Sequence, residues 1–265
     1  MSREFRYSTQ TYQNLRKNRA HQFAANHALN LYKLNTIYTF IPKNACSTMR
    51  LSLAIANGCV SDTKDFNWIH KNNDTFRADL KSLICADYSF VILRCPYARL
   101  ASVYLDKIVG RTQEAWHFYD LVDRTIDLNT LTFTEFVKQL AKPTVRNENI
   151  HWKPQVDFLV YKEYDDYFCL EEFANLDEVL RAKIGFEIVD ARPLTQHGID
   201  RLEIIEEEDF SSISPVDIYN LKISGKCPSP RSLYCDETIS LVSSCFQTDI
   251  QLYQDIFGSK NLMYS

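Results

Sequence analysis

Two short runs of β-branched and aromatic residues, Ile37–Ile41 (IYTFI) and Tyr88–Leu93 (YSFVIL), each pass through a proline and a basic residue into a helical pattern. No other feature constrains the fold as much. A strand that hands over to a helix is built for a crossover to a neighbouring parallel strand. Tyr167–Leu170 (YFCL), followed by the helical stretch NLDEVLRAKI and Gly185, repeats the arrangement. Strands alternating with helices predict an α/β fold with a mainly parallel sheet flanked by helices on both faces. At 265 residues and 45% hydrophobic content, one large core is within reach of a single domain. Its expected span is 36–265, after an N-terminal helical extension over 1–35.

The remaining elements read as follows. Residues 12–33 form a polar helix with an apolar stripe, and Ser47–Asn57 forms a helix with Gly58 at its C-terminal stop. Residues 62–82 are mixed and turn-rich. YARLASVYLDKIV after Pro96 is helical, with Leu100, Val103 and Tyr104 on one side. TLTFTEFVKQLAK starts a helix near Thr132 or Thr134, and Pro143 ends it. Residues 188–235 read as irregular, and 236–257 as one long amphipathic helix.

Composition narrows the partners. A net charge of −4 gives no global attraction to nucleic acid or to an anionic membrane. No run approaches the ~18 apolar residues of a membrane span. The N-terminal stretch lacks the apolar core of a secretory signal. Eight cysteines are scattered without a C-x-x-C pair or a zinc-like cluster, so no metal is expected. Cys85 and Cys169 lie in apolar segments, which predicts reduced, mostly buried thiols and a cytoplasmic setting.

Two stretches carry the chemistry. In PKNACST, Lys43 opens a loop of Asn44, Ala45, Cys46, Ser47 and Thr48 that leads into a helix. Unpaired amides and the dipole at a helix start favour a bound anion. The hydroxyls of Ser47 and Thr48 add donors, and Lys43 adds a full positive charge. A Walker loop would need glycines and a lysine at its end; here the lysine comes first and no glycine is present. In LRCPYARLASVY, Arg94 ends a strand, and Arg99 and Ser102 lie one turn apart on the next helix, so the three are candidates for a second phosphate.

Together the two stretches resemble PAPS-dependent sulfotransferases. FIPKNACSTMR is similar to their 5′-phosphosulfate loop and LRCPYARLASVY to their 3′-phosphate motif, with Cys95 where an acidic residue or Asn is usual and Met49 in place of a bulkier residue. NIHWKPQVDFL with YFCLEEFANLDEVL, and the final stretch from Leu233, resemble Golgi-type carbohydrate sulfotransferases of the chondroitin 4-O and heparan 2-O groups and their soluble bacterial relatives. The resemblance runs from about residue 36 to 258. It implies a P-loop-like α/β domain and 3′-phosphoadenosine 5′-phosphosulfate (PAPS) as donor, without a metal. It also implies that Lys43 and residues 44–48 hold the 5′-phosphosulfate, and that Arg94 and Ser102 hold the 3′-phosphate.

The acceptor is then a hydroxyl, of a glycan or a small molecule, whose proton needs a base. Among the histidines, His70 and His151 are the candidates, with Glu172 as a carboxylate alternative. His21 and His27 read as surface residues, and His117 and His197 as bystanders. Lys226 and Arg231 are further cations that could reach the 3′-phosphate, and Cys46 reads as packing. Acceptor loops are expected in 110–150 and 188–235. Two other classes remain open: a P-loop nucleotide-binding protein or kinase, and a non-catalytic PAPS-binding relative.

Overall fold

A computed structural model describes residues 3–8, 14–72, 74–194 and 201–264. His197 lies outside them. In chain order the first elements are α1 (Arg19–Asn26), β1 (Ala28–Leu31), β2 (Thr36–Thr39), α2 (Cys46–Ala56), α3 (Trp68–Lys71), α4 (Leu80–Cys85) and β3 (Tyr88–Leu93). Then come α5 (Pro96–Val103), α6 (Gln113–Leu121), α7 (Phe133–Leu140), α8 (Pro143–Arg146), β4 (Asp166–Cys169) and α9 (Phe173–Ile184). The last are β5 (Glu203–Ile205), α10 (Pro215–Ile223), β6 (Lys226–Pro228), α11 (Asp236–Cys245) and α12 (Gln247–Phe257). The chain divides into two compact units, 1–94 with 155–196, and 95–154 with 197–265.

The first unit holds the main sheet, in the order β1-β2-β3-β4. β2, β3 and β4 run parallel, with Thr39 opposite Val91 and Leu93 opposite Cys169, so the expected parallel α/β sheet is present. β1, β2 and all but the first residue of β3 are buried, as in a sheet covered on both faces. Tyr38 and Phe90 are fully buried and their rings stack at 5.2 Å. α2 adds Met49, Leu51 and Leu53 to this core, and α9 adds Leu176 and Leu180. Gly185, at φ +65°, closes α9 as a left-handed C-terminal residue.

The helix read over 12–33 needs correction. Among its described residues only Arg19–Asn26 is α-helical, with short 3-10 turns at Leu15–Lys17 and from Tyr32, and residues 28–31 pair antiparallel with β2. The other edge of β1 is occupied as well: Asn30 N–H donates to the Phe76 carbonyl and Ala78 N–H to that of Ala28. These partners lie far along the chain, and they override the helical pattern. Residues 3–6 are also stitched in. Arg3 pairs with Asp165 at 2.5 Å and donates to Ser89 Oγ at 2.6 Å.

The second unit is mostly helical. α5 does not continue regularly: Tyr104–Ile108 form a π turn that carries Asp106 and ends near Gly110. A Cβ at Gly110 would stand 2.2 Å from the Asp106 carbonyl oxygen, so only glycine fits. Thr132 and Glu135 close a capping box on α7. Trp152 is fully buried against Phe118 and donates from its indole to the Val145 carbonyl at 2.9 Å.

Two further expectations for this unit are corrected. The stretch read as irregular contains α10 and the parallel pair β5–β6. Ser214 caps α10 and Pro215 occupies its first turn, a start signal that the weak amphipathicity of the helix concealed. The single helix over 236–257 is broken at Phe246, which is buried with φ −117° and ψ 26°. Just upstream, the Ser243 hydroxyl bonds back to the Ile239 carbonyl at 2.9 Å, a contact that weakens helices.

All eight cysteines are free thiols, but only Cys95, Cys169 and Cys227 are buried. Cys85 is exposed because Leu83 is the residue that α4 turns inward. Among the described residues, no helix is long and apolar enough to cross a membrane. Replacing Gly110 by Ala is expected to destabilise the protein by about 1–3 kcal/mol, the usual cost of forcing atoms into a filled space. Denaturant unfolding of the variant beside the parent checks this.

Candidate functional site

The turn between β2 and α2 has an unusual backbone. Lys43 (φ +73°) and Ala45 (φ +54°) both lie in the left-handed region, which rarely suits residues with a Cβ. The conformations that glycines would supply in a phosphate loop are thus present without glycine. α2 begins at Cys46 with no side-chain cap and no acidic residue in its first turn. The first intrahelical amide bond is Met49 N–H to the Ala45 carbonyl, at 3.0 Å. The amides of Cys46, Ser47 and Thr48 therefore point out of the helix start, as in an anion nest.

The loop residues divide their tasks. Asn44 is fully buried, and its amide nitrogen donates to the Ile92 carbonyl (2.8 Å) and to Gln155 Oε1 (2.6 Å). Its backbone N–H is spent on the Ile41 carbonyl at 3.2 Å. Asn44 therefore shapes the loop from beneath. Thr48 is buried, and its hydroxyl oxygen accepts from Ala191 N–H at 3.3 Å, which leaves the hydroxyl proton available as a donor. Ser47 is half-buried. Cys46 is half-buried at the first helical position.

Arg94 follows the last residue of β3 and meets this loop. Its Nη1 donates to the Lys43 carbonyl at 3.0 Å. Lys43 and Arg94 thus come together at the carboxyl ends of two neighbouring parallel strands, the usual place for a ligand in such sheets. His70 is exposed on α3 in the same unit, edge-on to Phe66 at 5.3 Å. Its helix is held to α2 by Arg50, which donates to the Ile69 carbonyl and lies 5.4 Å over the Phe40 ring. Burial lowers the Arg50 pKa, opposed by Cys46, Tyr38 and Asp74. Glu172 stands at the N-terminus of α9.

Ser102 and His151 belong to the second unit. Ser102 is half-buried on α5. Arg99, read as a possible phosphate ligand, is instead buried. Its guanidinium donates to the carbonyls of Lys153 (2.8 Å) and Ile150 (3.2 Å), which flank His151.

His151 sits in a polar network that the sequence did not reveal. Asn149 offers its amide nitrogen to His117 Nδ1 and its oxygen to His151 Nδ1, both at 2.9 Å. With the amide in this orientation His151 Nδ1 is the donor to Asn149, and Nε2 faces Glu114 Oε1 at 3.7 Å. Glu114 also accepts from the Thr112 hydroxyl at 2.5 Å and lies 3.6 Å from Lys107. Burial raises its pKa, but the Thr112 bond, Lys107, its own backbone N–H and His151 outweigh that and leave it lowered. His117, expected to lack chemical company, is part of this chain of groups.

The other sequence candidates have contacts of their own. His21 is buried rather than on the surface, and burial lowers its pKa. His27 is half-buried and bonds to the Phe23 carbonyl through Nδ1 at 2.7 Å. Lys226 pairs with Glu203 at 3.5 Å, and Arg231 lies over the Tyr264 ring at 5.1 Å. Among the described residues no cluster of His, Cys, Asp or Glu is arranged to hold a metal. A parallel sheet with an uncapped helix start and two basic residues at its carboxyl edge is an α/β arrangement whose chemistry suits an anionic ligand.

Comparison with known sequences makes the class specific. Residues 27–254 match the sulfotransferase family, and the chain belongs to it. It is 25% identical over 221 residues to carbohydrate sulfotransferase 10 of Xenopus laevis, an alignment covering 71% of this chain and 62% of that protein. Carbohydrate sulfotransferase 14 of Danio rerio is 26% identical over 138 residues, covering 44% of this chain and 36% of that protein. The chain thus spans less than two thirds of the length of either relative. No solved structure matches it.

The left-handed turn is testable by itself. A left-handed residue with a Cβ costs about 1–2 kcal/mol, and glycine returns about 0.5–1 kcal/mol of that as lost chain entropy. Ala45→Gly is therefore expected to raise the unfolding free energy by about 0.5–1 kcal/mol. Urea unfolding measures this, and an unchanged or lower value would contradict the strain.

Proposed function

We propose that this protein moves a sulfuryl group from PAPS to a hydroxyl of an acceptor, a carbohydrate or a small molecule. The observation that carries the reading is the uncapped start of α2, preceded by the left-handed turn at Lys43 and Ala45 and braced by Arg94. Family membership and the names of the two relatives support sulfation, with a glycan as the first acceptor to try. A P-loop kinase fits less well, because the lysine opens the loop and no glycine follows it.

The donor supplies the sulfuryl group and a bisphosphate leaving group. Transfer forms the acceptor O–S bond as the S–O bond to the 5′-phosphate breaks. Positioning and charge stabilisation supply most of the rate in such in-line reactions. The amides of Cys46, Ser47 and Thr48, with the two hydroxyls, bind the 5′ end. The Lys43 ammonium meets the charge that grows on the departing oxygen. Arg94 and Ser102 read the 3′-phosphate. His70, exposed in the unit that carries the loop, takes the acceptor proton. His151, held at Nδ1 by Asn149, is the second candidate for that step.

Loss of the Lys43 ammonium, in Lys43→Ala, is expected to cost about 3–4 kcal/mol of activation energy, roughly a 100- to 1000-fold fall in rate. Binding of the 3′,5′-bisphosphate should stay measurable. Transfer of radiolabelled sulfate from PAPS to a panel of glycans and small alcohols is the assay. A thermal shift with ATP but none with the bisphosphate would favour the nucleotide-binding class. Bisphosphate binding with no transfer to any acceptor would favour a non-catalytic relative.

Two histidine variants separate the bases. His70→Ala is expected to abolish turnover and leave bisphosphate affinity within about twofold, the behaviour of a group that acts only in the chemical step. If His70→Ala turns over normally and His151→Ala does not, the base is His151.

A further inference from the structure

One buried polar contact of the donor turn is made by a residue outside both motifs. Gln155 opens a short 3-10 turn, Gln155–Phe158, and is 1% exposed. Its Oε1 accepts from Asn44 Nδ2 at 2.6 Å and from Arg94 N–H at 3.1 Å. Its Nε2 donates to the Arg94 carbonyl at 2.8 Å. Arg94 in turn donates through Nη1 to the Lys43 carbonyl at 3.0 Å. The bonds form a closed ring: Gln155 to Asn44, along the chain to Lys43, across to Arg94, and back to Gln155.

The ring solves a problem at the end of a strand. β3 pairs with β4 only as far as Leu93 and Cys169. One residue further on, the Arg94 peptide groups have lost the ladder. The Gln155 carboxamide takes both of them, as the peptide group of a neighbouring strand would. A buried amide is tolerated only when its donor and acceptor atoms are matched, and here each atom has a partner on a site element.

We propose that Gln155 is a positioning residue that fixes the spacing between the 5′-phosphosulfate loop and the arginine that reads the 3′-phosphate. The assignment rests on the donor reading given above. A ligand with both phosphate ends spans that spacing and depends on it. A ligand with the 5′ end alone does not. Gln155 therefore controls how much the 3′-phosphate adds to binding, although it touches neither phosphate itself.

The test compares adenosine 3′,5′-bisphosphate with adenosine 5′-monophosphate by calorimetry, on the parent, Gln155→Ala and Gln155→Glu. Gln155→Glu keeps size and acceptor atoms but, when ionised, cannot donate to the Arg94 carbonyl. In both variants the preference for the bisphosphate is expected to fall about 10-fold or more, the worth of one charge-assisted contact held out of place. Monophosphate affinity should change less than about threefold.

An unchanged preference in folded variants overturns the inference and leaves the donor reading standing. Equal weakening of both ligands, or loss of folded protein in both variants, assigns Gln155 to the fold alone and also overturns it. A parent protein that binds the bisphosphate no better than the monophosphate overturns the donor reading, and the inference with it.

Discussion

Lys43 and Ala45 are held left-handed between β2 and α2, a conformation that residues with a Cβ avoid and that would relax without support. The support is a set of buried hydrogen bonds. Asn44 is anchored to Ile92 and Gln155 beneath the turn, Arg94 holds the Lys43 carbonyl, and Thr48 bonds to Ala191 behind the helix start. Each such bond is worth about 1 kcal/mol net, so several together can hold a turn whose strain is of similar size. Strain kept in this way tends to collect at functional sites. In this turn its product is a row of outward amides beside a lysine.

Buried polar groups act in the same way in the second unit. Arg99 puts a full charge into the interior, and the carbonyls on either side of His151 receive it. Asn149 then bonds to Nδ1 of His151, and Glu114 faces Nε2. Three side chains from different elements thereby fix one imidazole. The motif arginine that looked like a phosphate ligand serves the loop backbone instead. An arginine with five donors can do either, and its burial decides which.

The parts of the fold that were legible in sequence share one property: their signal is local. YSFVIL is a continuous apolar run bounded by turn residues, and it forms β3 over the residues read from it. α2 was marked by its polar start and by Gly58, and α9 by Gly185. What was missed is non-local. β1 exists because β2 and residues 76–78 lie on either side of it, and β5 and β6 pair with each other across the length of α10. Strands of three or four residues carry too little pattern to be read before their partners are known.

The site divides along the same line. The sequence by itself determined that a lysine-led turn and a strand-end arginine precede helices in one chain, because those signals are adjacent residues with a known local geometry. It also held enough family pattern to point to sulfotransferases. Only the tertiary structure decided that Lys43 and Arg94 meet, that Asn44 faces inward, and that Gln155 joins them. It alone also decided that Arg99 is buried while His70 is exposed. The physical reason is that a polar side chain takes its role from the partner that satisfies it. In each of these cases that partner lies far along the chain and becomes a neighbour only on folding.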